Sequence, residues 1–178
     1  MNDSILGALQ QHLNPQTIQQ MSSAIGADPA ATSSAISMAL PALLGGLKGN
    51  VANPEGAASL DRALNAHDGS ILDNLGGLFG GDGPGASILG HIFGSRRAPV
   101  EEGVARTSGL DAAQVARLMA MLAPIVMGVL GRMKQQKGLD ANRLPEVLQQ
   151  SAPDGDNNPL EDLLRMGSTA LGGMFRKP

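Results

Sequence analysis

The sequence predicts an all-α protein, a helical bundle built from two tandem pseudo-symmetric repeats of about five helices each. Three observations point there. Cap residues followed by apolar side chains at helical spacing recur along the 178 residues, while alternating strand patterns are nearly missing. A single shift of 83 residues sets Ser4-Ile5-Leu6-Gly7 on Ser87-Ile88-Leu89-Gly90, and also Gly26, Asp28, Met38, Pro41, Gly45 and Leu47 on Gly109, Asp111, Met121, Pro124, Gly128 and Leu130. Self-similarity at one fixed offset indicates an architectural repeat. Between the copies, residues 76–85 hold six glycines and a proline, a density no periodic helix survives.

The elements follow in order. Asp3 precedes an apolar stretch to Leu13; Asn14-Pro15 opens a second helix to Ile25, stopped by Gly26. Asp28-Pro29 places an N-cap before a proline in the first helical position and starts a third helix to about Leu47. Asn53-Pro54 repeats the device for a helix to Ala66, and a fifth is expected near Asp68 to Ser70, with Ile71, Leu72, Leu75 and Leu78 on one side. After the glycines the series restarts with Ala86–Phe93, Ala98–Thr107, Asp111–Lys137, Asn142–Gln150 and Pro159–Phe175, with Ser151–Asn158 as a polar loop. The domain division is therefore 1–75 for repeat one, 76–85 for a glycine-rich hinge and 86–178 for repeat two, with one shared core.

The third helix of each repeat carries the strongest pattern. Val115, Leu118, Met119, Leu122, Ile125, Val126, Val129 and Met133 form a broad apolar stripe, which Met121, Met127 and Leu130 extend almost all round, so this helix is expected at the centre. A proline inside a helix removes a backbone hydrogen bond at about 3 kcal/mol or more. Pro41 and Pro124 occupy matched positions, beside small residues four apart: Ser37, Pro41 and Gly45 in one copy, Ala120, Pro124 and Gly128 in the other. Pro41, Gly45, Pro124 and Gly128 are thus the structural candidates, and the two third helices are expected to pack across these strips.

Composition excludes several function classes. With no cysteine there is no disulfide, thiolate nucleophile or cysteine-ligated metal, which suits a reducing cytoplasm. The N-terminus Met1-Asn2-Asp3-Ser4 lacks the basic and long apolar regions of a secretory signal, and Leu118–Gly131 is shorter than the roughly 18–20 residues of a bilayer span. A cytoplasmic location is expected. The formal net charge of −3 and the lack of Trp and Tyr argue against nucleic acid as a partner. Residues 1–84 carry two basic and seven acidic side chains, residues 85–178 eleven and nine, an asymmetry that favours docking of one half on the other within or between chains.

Chemistry-bearing constellations are sparse. The histidines His12, His67 and His91 titrate nearest neutral pH. His67 with Asp68, joined by His91 after the hinge, is the weak candidate for a metal site or an acid–base pair; the alternative is that Asp68 or Ser70 caps a helix and the histidines pack. Asp154, Asp156 and Asn158 resemble the start of a calcium loop, but Pro159 and Arg165 stand where glycine and a bidentate glutamate are needed. The run Gly80–Gly85 follows no strand and lacks the Lys-Ser or Lys-Thr of a phosphate loop. Met119, Met121, Met127 and Met133 are either adaptable binding surface or core filling. No catalytic motif is found, and no cofactor is expected.

Leu40-Pro41-Ala42-Leu43-Leu44, Asn53-Pro54-Glu55-Gly56-Ala57, His67-Asp68-Gly69-Ser70-Ile71-Leu72, Ile88-Leu89-Gly90-His91-Ile92-Phe93-Gly94 and Ala123-Pro124-Ile125-Val126-Met127-Gly128 together resemble the YidB-like bacterial domain-of-unknown-function family, number 937. The resemblance covers nearly the whole chain. It implies an all-helical bacterial protein and no established activity; some relatives are fused to a peptidoglycan-binding domain like that of the OmpA family, which implies a cell-envelope setting. The expectation is a non-enzymatic protein-interaction or scaffold module, engaging a protein partner or a second copy of itself. The first alternative is an envelope or membrane-surface protein touching lipid through Gly76–Phe93 or Leu160–Lys177, and the second is a metal-binding protein or enzyme using His67 and His91.

Overall fold

Helix starts in this chain are set by side chains that replace missing backbone partners. In the computed structural model, which describes residues 4–80 and 83–151, the Ser4 hydroxyl accepts from Gly7 N–H at 3.1 Å and opens α1 (Ile5–His12). Asn14 accepts from Thr17 N–H before α2 (Pro15–Ile25), and Gly26 closes that helix in the left-handed region at φ 67°. Asp28 caps α3 (Pro29–Asn50), and Asn53 caps α4 (Pro54–Ala66). All three of these helices carry proline at the first position, where its missing N–H costs nothing. Each such cap contributes about 1 kcal/mol.

The second half is made of α5 (Gly85–Phe93), α6 (Arg97–Ser108), α7 (Ala112–Lys137) and α8 (Leu144–Ser151). A reciprocal capping box starts α7: Gln114 N–H donates to Asp111 Oδ1 at 2.8 Å and Asp111 N–H donates to Gln114 Oε1 at 3.1 Å. The Gln114 amide also donates to the carbonyls of Ile25 and Gly26, tying the start of α7 to the end of α2. α8 begins two residues later than the pattern predicts. Asp140 accepts from Asn142 N–H and Arg143 N–H, so residues 140–143 form a turn first.

All described residues that form regular structure are helical, as expected, but the division into two pseudo-symmetric five-helix repeats is not supported. α3 and α7 begin 83 residues apart, yet their surroundings differ, and the predicted fifth helix of the first half is replaced by two 3-10 turns, Ser70–Asp73 and Leu75–Gly80. Asn74 leaves helical geometry between them at φ −138°, ψ 62°, and Gly76, Gly77 and Gly80 each disfavour a helix by about 1 kcal/mol relative to alanine. Ser151, expected to open the polar loop, closes α8 instead; the rest of that loop, the matching helix expected over 159–175 and the calcium-like run lie outside the described residues. Gly85, assigned by the sequence pattern to the hinge, belongs to α5 and is buried.

The core is one cluster drawn from both halves, from Ile5 and Leu9 through Leu43 and Leu44 to Leu144 and Leu148. α7 is its axis. It packs against α1 to α6 and both turns of 70–80, and every residue from Met121 to Gly131 is buried. α3 is the second long element, in contact with α2, α4, α5, α6, α7 and α8. Both helices run unbroken through Pro41 and Pro124. By length and hydropathy each is apolar enough to cross a bilayer, but 56% and 72% of their most apolar stretches are buried within the bundle, where that apolarity serves the core.

The expected pairing of small-residue strips does not occur as predicted. On α3, Ser37 is exposed and Pro41 and Gly45 are half-buried, because Ala35, Ala39, Leu43 and Gly46 turn inward instead. Gly128 receives the 70–73 turn rather than α3: a Cβ there would stand 2.8 Å from Ile71 Cγ2 and 3.1 Å from Leu72 Cγ. The physical reason is the course of the chain after α4, which places Ile71 and Leu72 in the notch at Gly128. Further notches lie at Gly131, where a Cβ would collide with the His67 carbonyl, at Gly85, against the Ala120 carbonyl, and at Gly46, 2.6 Å from Ile92 Cγ2.

A partly buried ion pair also fastens α4 to α7. Lys134 Nζ lies 2.7 Å from Asp61 Oδ1 and donates to Asp61 O at 3.2 Å and Asn65 Oδ1 at 2.6 Å. Asp61 Oδ1 is itself buried, and among the described residues it has no hydrogen-bond donor beyond this ammonium. Removing one partner of such a pair costs more than the pair contributes, because the other charge stays desolvated.

Two outcomes test this packing. Gly131→Ala should lower the unfolding free energy by about 1–3 kcal/mol, since the added carbon meets backbone rather than a movable side chain. Gly90→Ala, at an exposed position of α5 with no atom within 4 Å, should raise it by up to about 1 kcal/mol; urea denaturation of both variants measures the contrast. By the same method, Lys134→Met should destabilise more than the double variant Asp61→Asn/Lys134→Met, which leaves no stranded carboxylate.

Candidate functional site

α4 and α5 stand as two walls of an open groove whose floor is supplied by the axial helices. Leu60, Ala63 and the α4-terminal His67 line one wall, Ser87, Ile88 and His91 the other; Leu47 and Asn50 of α3 and Met127 of α7 lie between, and the volume is about 540 Å³. That size is in the range, about 300–1,000 Å³, of pockets that enclose small ligands or a few side chains.

Local sequence explains each wall. α4 turns Ala57, Leu60 and Leu64 inward, which leaves Ser59 and Ala63 at the groove edge. α5 buries Ile88, Leu89, Ile92 and Phe93, leaving Ser87 and His91 on the rim. Its position is held at both ends. Gly85 lets the first turn touch the α7 backbone at Ala120. At the other end the Asn50 amide donates to the carbonyls of His91 and Ile92, both at 3.1 Å, and satisfies two acceptors the helix terminus leaves open.

The described lining of the groove is apolar below and polar above. Leu47, Leu60, Ile88, Ile92 and Met127 are buried at its base, the rim carries Asn50, Ser59, His67, Ser87 and His91, and no Asp, Glu, Lys or Arg stands among the described residues that line it. Of the methionines singled out in the sequence, Met119, Met121 and Met133 are buried core, and Met127, 3% exposed, reaches the groove floor.

The sequence candidates separate. His67 and His91 do face the same groove from opposite walls, but Asp68 does not line it. Asp68 instead accepts from Ser70 N–H at 3.0 Å and shapes the turn after α4; that hydrogen bond, with the Ser70 hydroxyl, holds its carboxyl below the usual range. No group of three or more metal-ligating side chains occurs among the described residues. A pair of rim imidazoles without a carboxylate has neither the ligand set of a structural or catalytic zinc site nor the second group that orients a general base. Pattern reading missed the groove itself. Its polar rim comes from three separate elements, α3, α4 and α5, and the only local signal was the brevity of α5 before Gly94.

His12 belongs to a different cluster, at the end of α1. Burial holds its pKa below the ordinary 6.5, the nearby Arg132 guanidinium acts in the same direction, and Asp73 opposes both. Arg132 in turn donates to Gly69 O at 3.2 Å and Asp73 Oδ1 at 3.1 Å, anchoring the 3-10 turn to α7.

A family described as "Bacterial protein of unknown function (DUF937)" matches residues 7–135, which include the walls and floor of the groove. The chain matches no curated protein and no solved structure.

The His12 shift has a signed consequence. Because the folded state binds its proton less readily than the unfolded chain, stability is unaffected well above pH 6.5 and falls as the pH drops through and below that value. His12→Gln should flatten this part of the stability–pH curve between about pH 7 and 5; thermal melts of both proteins across that window measure it.

Proposed function

We propose that this chain, which belongs to the bacterial family of unknown function DUF937, works as a non-enzymatic interaction module whose α4–α5 groove receives an apolar segment of a protein. The observation that carries this reading is the character of the groove: a buried aliphatic floor under a rim of polar side chains, with no Asp, Glu, Lys or Arg among its described lining residues. Such a surface gains free energy by releasing water from apolar area, about 25 cal/mol per Å², and its rim hydroxyls, amide and imidazoles can pair with the polar groups that flank an apolar stretch. Among its described lining residues it offers an ionic ligand no Asp, Glu, Lys or Arg, which favours apolar over strongly ionic ligands. The absence of cysteine suits work in a reducing cytoplasm.

A photo-reactive side chain placed at Ser87 tests the reading in living bacterial cells. Adducts with other proteins should form from position 87 and not from Ser33, which is exposed near the opposite end of α3. The same adducts should vanish when Ala63→Arg puts a charge into the groove of a protein that still melts cooperatively. Equal labelling from both positions, or adducts that survive Ala63→Arg, would sink the proposal.

A further inference from the structure

We infer that the groove takes its partner as an amphipathic helix, one that lowers aliphatic side chains at positions i, i+3 or i+4 and i+7 onto the floor. This rests on the reading of the groove as a surface for an apolar segment of a protein. The ground for a helix is the hydrogen-bonding capacity of the walls. Between their ends α4 and α5 bond their main chains within themselves, so neither wall offers a row of free N–H and C=O groups to a segment laid beside it. At the end of α5 the carbonyls of His91 and Ile92 are taken by the Asn50 amide, at 3.1 Å each.

The wall formed by α4 runs from Gly56 to His67, eleven residues or about 16 Å of helix. An extended segment crossing that length has about five residues and therefore about ten main-chain polar groups. Among the described lining, five polar side chains stand at the rim, Asn50, Ser59, His67, Ser87 and His91, and Asn50 is already committed. Each main-chain group left without a partner over the aliphatic floor weakens binding, because its bond to water is lost and not replaced. A helix avoids that loss: its main chain is satisfied internally, and only side chains meet Leu47, Leu60, Ile88 and Met127.

The walls also have the spacing that a further helix needs. Gly56, Leu60, Ala63 and His67 follow one another at three or four residues along α4, as Ser87 and His91 do along α5, so each wall turns one helical face to the slot. Ser59, Ala63 and Ser87 are small, so neither wall holds the incoming axis at a distance. Three turns of helix span the α4 wall and carry anchors at i, i+4 and i+7 along it.

Photo-reactive side chains placed singly at Ser59 and at His67 of the full-length protein in living cells measure the pitch of the bound segment. The two positions lie eight residues, about 12 Å, apart along one wall. Adduct sites on the same captured protein, located by mass spectrometry, should then differ by about eight residues, whereas an extended segment gives about four. A proline placed in the captured protein midway between its two adduct sites should cut capture at least ten-fold, because it interrupts a helix and leaves an extended chain intact. A difference of about four residues, adduct sites with no fixed difference, or capture unchanged by the proline overturns the helix and leaves the groove an interaction site. Absence of adducts from positions 59, 67 and 87 alike removes both readings, so the two fail separately.

Discussion

The rest of the structure depends on how closely backbones approach α7. Gly128 and Gly131 present no side chain on the face that receives the segment after α4, and Gly85 removes one from the first turn of α5. At Gly131 and Gly85 the neighbour is a backbone carbonyl, which cannot rotate aside as a side chain can. Contact at this range brings many atoms into van der Waals distance, each pair worth only about 0.1–0.2 kcal/mol but acting together. It also explains how a chain with three Phe and no Trp or Tyr assembles a core. Small smooth surfaces are compensated by proximity.

That constraint creates the groove. α4 is drawn toward α7 through the His67–Gly131 contact and the Lys134–Asp61 ion pair, and α5 is drawn to α7 at Gly85 and to α3 at Gly46. The two helices are fastened to shared supports rather than to each other. The space left between them exposes the axial helices as a floor, so Met127 and Leu47 serve core and groove together. Polar fastening at the rim is economical: one amide, Asn50, closes the end of α5 and stands at the groove edge.

Much of the helical plan was legible in the residues because its causes are local. Asn14-Pro15, Asp28-Pro29 and Asn53-Pro54 each join an N-cap acceptor to a residue pre-set for the first turn, and these interactions need nothing beyond four consecutive residues. The centrality of α7 was legible as well, since a helix apolar nearly all round has no face to give to water. The shift of 83 residues, by contrast, promised a symmetry that the packing does not carry. Matched glycines acquire different neighbours: Gly45 is left half-exposed while Gly128 is buried under Ile71 and Leu72.

The sequence by itself determined where helices start, which of them is buried all round, and that cysteine chemistry is excluded. Only the tertiary structure decided that residues 70–80 turn in 3-10 geometry, which glycines face backbone, and that His67 and His91 share a groove apart from Asp68. The difference has a physical source. Caps and amphipathic stripes are interactions among residues a few positions apart, whereas a notch or a groove exists only once elements distant in the chain, α3, α4, α5 and α7, are brought to the same place.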